Sequence, residues 1–251
     1  ELVSYLARQG IAVHVNTTVT SMTHLGDKVR VVLGGHDKRE LLVEKALVAV
    51  GRTPQADHVG VSAAGVRVKG GRIEVNQSMQ TNVKGIYAVG DLAATVGGHR
   101  DLAHAAAAEG AVAAEHALGR RARVSYDALP NCIFCEPQLA SVGLTEAAAR
   151  KKFRKIRVGR CPFLSVSKAT LHGDRSGLVK VIGGPDGRLV GVHILGSSAT
   201  ELINIASAAI QSRAHLEDLA RMSFVHPSLA ESIHIAAEDA LGRAVDLPPK
   251  S

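Results

Sequence analysis

The strongest constraint on the fold comes from two short apolar runs, each ended by a glycine. "ALVAV" (residues 46–50) leads into Gly51 and Arg52, and "GIYAV" (residues 85–89) leads into Gly90 and Asp91. Neither run alternates apolar with polar. A strand wetted on one face alternates, so a continuous run fits a strand covered on both faces, as in a parallel sheet. A terminal glycine lets the backbone turn tightly or approach a ligand closely. The residue carried past the carboxyl end of such a strand sits where open α/β sheets bind their ligands. Arg52 and Asp91 are therefore candidate ligand contacts. A carboxylate in the place of Asp91 can accept from a sugar-type hydroxyl, and a plain turn aspartate fits the same pattern.

Around these runs the chain reads as a succession of short elements. "ELVSYLARQG" (1–10) reads as a helix stopped by Gly10. "IAVHVNTTVTSM" (11–22) reads as a strand, and "KVRVVLGGHDKRELLVE" (28–44) as a hairpin around Gly34 and Gly35. "GRIEVN" (71–76) is a short strand. "DLAHAAAAEGAVAAEHALG" (101–119) is an alanine-rich helix whose small side chains permit close packing on a sheet or a flat cofactor. Its start near Asp101 is suited to facing an anion. His104, in its first turn, reads more simply as a histidine satisfied by local hydrogen bonds.

After a linker, "RARVSYDALP" (121–130), the pattern changes. "CIFCEPQLASVGLT", "IRVGRCPFL", "GLVKVIG" and "RLVGVHILG" read as strands, the last two joined by the turn "GPDG". Three helical stretches follow: residues 197–213, with Ser198 and Glu201 spaced as a capping box, then 215–222 and 228–243. Strands followed by helices predict an α+β domain with helices on one face of an antiparallel sheet.

Composition narrows the partners. With 46% apolar and 21% charged residues the chain has a globular make-up, and no apolar run approaches a membrane span. The net charge of +7 raises the question of nucleic acid, but only 3% of residues are aromatic and none is tryptophan, so stacking platforms are scarce. The basic run "RKKFRKIR" (150–157) follows a helix that Thr145 can cap, and cations suit a last turn. A solvated helix end is favoured over a polyanion site, and neither nucleic acid nor membrane is an expected partner. The three cysteines, Cys132, Cys135 and Cys161, argue against a disulfide-stapled secreted protein, and a cytoplasmic chain is expected. Cys132 and Cys135 form C-x-x-C, but on an extended strand they face opposite sides and no second pair completes a zinc site. They read as buried structural thiols, and no metal site is expected.

"FVHPSLAES" (224–232) carries the most chemistry. Proline keeps the preceding residue out of helical geometry, so His226 is expected to be extended, just outside a helix begun by Pro227 and Ser228. Glu231, in that helix's first turn, can reach back to one ring nitrogen and leave the other free. A carboxylate partner fixes the tautomer and raises the basicity of an imidazole. Ser228 and Glu231 also have capping-box spacing, with the Ser228 N–H donating to the carboxylate. A carboxylate has two oxygens, so the two roles are compatible.

Taken together these segments resemble the flavoprotein disulfide reductases, and among them the dihydrolipoamide dehydrogenases most closely. "VAVGRTPQ" is similar to the segment ending the family's pyridine-nucleotide domain, "TNVKGIYAVGDLAA" to its second flavin fingerprint, and "DLAHAAAAEG" to the flavin-side helix that follows. "EPQLASVGLTEAAA", "GLVKVI", "RLVGVHILGSSATELI", "VHPSLAESI" and the tail "GRAVDLPPK" resemble successive parts of its dimerisation domain. The order and spacing match along essentially the whole chain.

The resemblance implies an α/β remnant of two nucleotide-binding domains followed by an α+β dimerisation domain. Residues 1–54 would close the NAD-binding domain, 55–122 would return to the FAD domain, and 123–251 would form the dimer interface. It implies FAD and NAD as cofactors, a homodimer, and a lipoyl-bearing protein or a small disulfide as substrate. Asp91, after Gly90, would bond the flavin ribityl chain. The backbone around Leu102, Ala103 and His104 would pass close to the flavin, and Gly51 and Arg52 would lie on the nicotinamide side. His226 would take a proton from the substrate dithiol at the other subunit's flavin site, with Glu231 orienting it.

The chain departs from the family pattern in several places. It has no G-x-G-x-x-G and no redox-active C-x4-C, so it is expected to be the C-terminal half of a longer polypeptide and redox-inert alone. Asp101 stands where an apolar residue is usual, and Phe224 replaces a frequent second histidine. Two alternatives stay open: another disulfide reductase of the family, of the glutathione-reductase kind, and a truncated non-catalytic dimerisation module.

Overall fold

The computed structural model describes residues 1–95 and 101–248. The last residues of the tail segment fall outside them. The chain divides into two compact units, Glu1–Thr53 and Pro54–Ser251.

The first unit has one helix, α1 (Leu2–Arg8), and an antiparallel meander of β1 (Thr17–Leu25), β2 (Lys28–Gly35) and β3 (Glu40–Val43). Gly10, at φ +80°, ends the helix and donates its N–H to the Ala7 carbonyl. Gly34 and Gly35 do not form the hairpin turn. β2 runs through Gly35, which pairs with Thr17, and the turn lies at 36–39. The backbones approach so closely there that a Cβ on Gly35 would sit 2.4 Å from the Asn16 carbonyl oxygen.

The buried parallel strand expected at 46–50 is not formed. These residues pair with no strand among the described residues, and Leu47 and Val50 are each 94% exposed. A strand covered on both faces needs neighbours at its edges and layers above and below. The meander is complete without it and offers neither.

The second unit begins with small elements. β4 (Val68–Lys69) pairs antiparallel with β5 (Arg72–Glu74), which pairs parallel with β6 (Ala93–Ala94). Expected as a strand, 85–89 makes only an isolated bridge from Tyr87 to Gln80. Its backbone is engaged in irregular bonds, Ala88 N–H to the Met79 carbonyl and Thr81 N–H to that of Ile86. The parallel pairing therefore falls after Gly90 rather than before it. Next comes the alanine-rich helix α2 (Ala103–Ala117), which packs Val112 and Ala113 against Met79.

The main core belongs to a five-stranded antiparallel sheet of β7 (Asn131–Ile133), β8 (Leu139–Gly143), β9 (Arg157–Pro162), β10 (Leu178–Gly183) and β11 (Leu189–Leu195), in the order β7-β8-β11-β10-β9. Between them lie α3 (Glu146–Lys152) and α4 (Ser167–Leu171), and after them α5 (Ala199–Gln211), α6 (Leu216–Arg221) and α7 (Glu231–Leu241). The register explains the core. Val179 stands opposite Cys161 and Ile194, and Val192 opposite Val181 and Val142, so their side chains share one face. That face is buried with residues of α5 and α7. Burying each such side chain is worth about 1.5–3 kcal/mol. Gly159 on β9 is obligatory here, because a Cβ would lie 1.9 Å from the Ala236 carbonyl oxygen of α7.

The opposite face carries Lys180 and Arg160, and both reach Glu146, at 3.3 and 2.7 Å. Arg150 also bonds Glu146, and Thr145 caps α3 by accepting from the Ala148 N–H. The capping box expected at Ser198 is absent. Ser198 sits at φ +58°, and its main-chain carbonyl accepts from Glu201 and Leu202. Gln138 supplies a side-chain cap instead, accepting from the Thr200 N–H at 3.1 Å and its hydroxyl at 3.0 Å. Among the described residues no helix is long and apolar enough to cross a membrane.

Candidate functional site

His226 lies in the irregular segment between α6 and α7, before a cis peptide to Pro227. α7 begins at Glu231, not at Pro227 and Ser228 as expected. The residues between close tighter three-residue bonds, Ser232 N–H to the Leu229 carbonyl and Ile233 N–H to that of Ala230. This lead-in turns the Glu231 carboxylate back along the chain. Its Oε1 accepts from His226 Nδ1 at 2.8 Å, and its Oε2 accepts from the Ser228 N–H at 2.8 Å. Both readings of the spacing are therefore met by one carboxylate. The serine limb of the box is not, since the Ser228 hydroxyl is buried without a partner among the described residues.

The geometry fixes the chemistry available to His226. Nδ1 carries the proton given to Glu231, so Nε2 is the accepting nitrogen. The ring is 69% exposed and turned away from the core. Partial burial pushes the Glu231 carboxyl up, but the Ser228 N–H bond and the contact with His226 outweigh it and hold the group below its ordinary range. An ionised carboxylate against Nδ1 stabilises the imidazolium that forms when Nε2 accepts a proton. The Phe224 ring lies tilted against His234 of α7, their centroids 5.9 Å apart, and the His234 Nε2 stands 3.7 Å from Glu238.

A second group of residues surrounds Gly90. The turn Gly90–Leu92 joins the 85–89 segment to β6. Gly90 is at φ +69°, and a Cβ there would lie 3.0 Å from the Ala106 Cβ, so α2 presses directly on the turn. Its N–H donates to Glu109 Oε2 at 2.7 Å, and Glu109 Oε1 accepts from the Tyr126 hydroxyl at 2.9 Å. The Asp91 carbonyl accepts from Arg72, whose guanidinium also grips Asp101. Leu102 is extended and caps α2 without a side-chain bond. His104 donates from Nε2 to the Pro130 carbonyl at 2.7 Å, a partner twenty-six residues on rather than the local one expected. The structure thus gathers Gly90, Asp91 and the start of α2 into one place.

Sequence reasoning missed Arg72, Glu109 and Tyr126. Glu109 had a readable signal: it falls on the helix face of Ala105, Val112 and Ala113, all buried, where a lone carboxylate must find donors.

Gly51 and Arg52 belong to the first unit and are exposed. Gly51 is at φ +136°, and no atom comes within 4 Å of a Cβ built on it. This segment offers a turn and a cation. The C-x-x-C cysteines are not the buried strand thiols expected. β7, an edge strand, ends at Ile133, so Cys135 lies beyond it with its thiol 3.1 Å from the Pro137 carbonyl. Both are half-buried rather than buried, and burial pushes the Cys132 thiol up. The fully buried thiol is Cys161, pushed up to about 12 by burial. Among the described residues no three His, Cys, Asp or Glu side chains gather as a metal site.

Comparison with known proteins places this arrangement. Residues 1–110 match the model of the pyridine nucleotide-disulphide oxidoreductases, and residues 129–237 match that of their dimerisation domain. The chain belongs to this family. It is 38% identical over 238 residues to a dihydrolipoyl dehydrogenase of Thermus scotoductus, covering 93% of this chain and 50% of that protein. It is 34% identical over 241 residues to that of Bacillus subtilis, covering 96% and 52%. Among solved structures, LpdA from Mycobacterium tuberculosis matches with a TM-score of 0.84 at 28% identity, over 94% of this chain and 51% of that one. The HOCl-induced flavoprotein disulfide reductase RclA from Escherichia coli matches with a TM-score of 0.82 at 26% identity, over 94% and 54%. The chain spans about half the length of these relatives. Family members of the dihydrolipoyl dehydrogenase kind use FAD and NAD.

Proposed function

We propose that this chain acts within a dihydrolipoyl-dehydrogenase-like homodimer that oxidises a dithiol, on a lipoyl-bearing protein or a small molecule, to its disulfide. The chain contributes the acid–base pair of His226 and Glu231, part of the flavin site at Asp91 and α2, and a dimer surface. The observation that carries the reading is the 2.8 Å bond from His226 Nδ1 to Glu231, with the ring otherwise exposed. His226 Nε2 accepts one thiol proton and Glu231 holds the resulting cation in place. The thiolate formed is the nucleophile that thiol–disulfide exchange requires.

The residues fit a flavin on this side. Gly90 lets its turn pack directly against Ala106 of α2, Asp91 offers acceptors to the ribityl hydroxyls, and Leu102, Ala103 and His104 begin a helix with no side-chain cap. FAD, when bound, supplies the two-electron redox chemistry that links the dithiol to NAD+. The balance is dithiol plus NAD+ giving disulfide, NADH and a proton. Gly51 and Arg52 are assigned to the nicotinamide side by family resemblance.

The test uses the full-length protein that contains this chain. His226→Gln should lower dithiol-dependent NADH formation by about 10²–10⁴-fold while leaving the flavin absorbance in place. Turnover within threefold of the parent would end the acid–base assignment. Running the same enzyme with glutathione disulfide and NADPH separates the glutathione-reductase reading, and a flavin-free, inactive dimer would point to the dimerisation module.

A further inference from the structure

Asp101 sets a negative charge at the start of the flavin-side helix, where the family pattern has an apolar residue. The structure shows where that charge goes. Arg72 opens β5, and its side chain is only 10% exposed. A cation so buried is costly unless it is paired and its donors are satisfied. Its two terminal nitrogens donate to the two Asp101 oxygens at 2.8 and 2.9 Å, a bidentate fork, and Nη1 also donates to the Asp91 main-chain carbonyl. Asp101 adopts φ +45°, a left-handed conformation that aspartate tolerates better than most residues.

One guanidinium therefore ties three segments together: β5, the turn holding Asp91, and the residue before Leu102. The same turn is held on its other side, where the Gly90 N–H donates to the buried Glu109 of α2. Asp91 is bracketed, with the preceding N–H fixed by one charged group and its own carbonyl by another. With the backbone pinned on both sides, the direction of its Cα–Cβ bond is set.

We propose that Arg72 is a positioning residue for Asp91, and that with Asp101 it forms a charge-neutral clamp holding the Asp91 turn against the first turn of α2. This deepens the proposed function and rests on its assignment of Asp91 to the flavin. The clamp delivers the Asp91 carboxylate preformed, and it consumes the Asp101 charge that would otherwise stand beside the cofactor.

The test uses the full-length apoprotein, FAD as the probe, and two readouts. Arg72→Gln should weaken FAD binding about tenfold, and the Ala93 and Ala106 amides, which bond the Gly90 and Leu102 carbonyls, should exchange hydrogen about tenfold faster. Arg72→Lys, which keeps the charge but not the fork, should fall between. If Arg72 acts through Asp91, Arg72→Gln should cost no further affinity in an Asp91→Ala background. A full tenfold loss in that background, or unchanged exchange, overturns the clamp. Should Asp91→Ala itself leave FAD affinity unchanged, the assignment of Asp91 fails, and exchange alone decides: faster amides support the clamp and unchanged ones overturn it. Should Arg72→Gln not fold, Arg72→Lys and Asp101→Asn carry the same comparison.

Discussion

The 1–53 unit and the five-stranded sheet are both built of short β-rich segments, yet they differ in what covers them. In the sheet, each inward side chain meets another across the register, and α5 and α7 close over the face. In the 1–53 unit, Val31 and Leu33 are the buried apolar residues, and α1 buries none of its side chains. Apolar content does not separate the two regions. Complementary layers do: the sheet's own downstream sequence supplies the helices that dry it, and nothing within 1–53 does this for Leu47 or Val50. Stability should therefore be concentrated in the sheet.

The sharpest way to break this contrast is at the line where helix meets strand. Gly159→Val puts atoms where the Ala236 carbonyl now stands, so α7 must lift off β9. We expect a loss of about 3 kcal/mol or more, at the upper end for overpacking, read as a fall in the urea midpoint by circular dichroism. Next in size, Ile194→Ala opens a cavity in a fully buried position and should cost about 2–5 kcal/mol. Val50→Ala, at 94% exposure, should stay within about 0.5 kcal/mol. Equal costs at Ile194 and Val50 would show that the 1–53 segment has a dry layer of its own.

The same contrast explains what could be read from sequence. The hairpin of β10 and β11 was legible because its signals are local: two short apolar strands joined by a Gly-Pro-Asp-Gly turn, in which the Gly184 N–H bonds the Arg188 carbonyl. The bond between His226 and Glu231 was legible for the same reason, since five residues separate the partners and proline limits the backbone between them. The strand at 46–50 was misread because burial on two faces depends on layers that its own residues do not encode. Ser198 failed as a cap because Gln138, sixty-two residues before its partner Thr200, takes the role. Arg72 was invisible for a related reason: its partners, Asp91 and Asp101, lie nineteen and twenty-nine residues on, joined by a fold rather than by a period.

A pH series tests whether the His226 geometry belongs to the stable part of the molecule. Glu231 is held below its ordinary value of 4.5 by bonds that outweigh partial burial, and Glu146 is held below 4.5 chiefly by its bond with Arg150. A carboxyl lowered in the folded state stabilises fully above its ordinary value, and that stabilisation drains as pH falls through the lowered one. Sheet stability should thus decline once the pH drops below about 4.5. Glu231→Gln should cost about 1.5–3 kcal/mol at pH 7, the scale of a hydrogen bond to a charged group, and should flatten part of the acid decline. Urea unfolding at a series of pH values reads both. If Glu146→Gln flattens the decline and Glu231→Gln does not, the carboxylate is not holding Ser228 and His226 in solution. The imidazole would then lack its orienting partner, and the proton-accepting role would lose its physical basis.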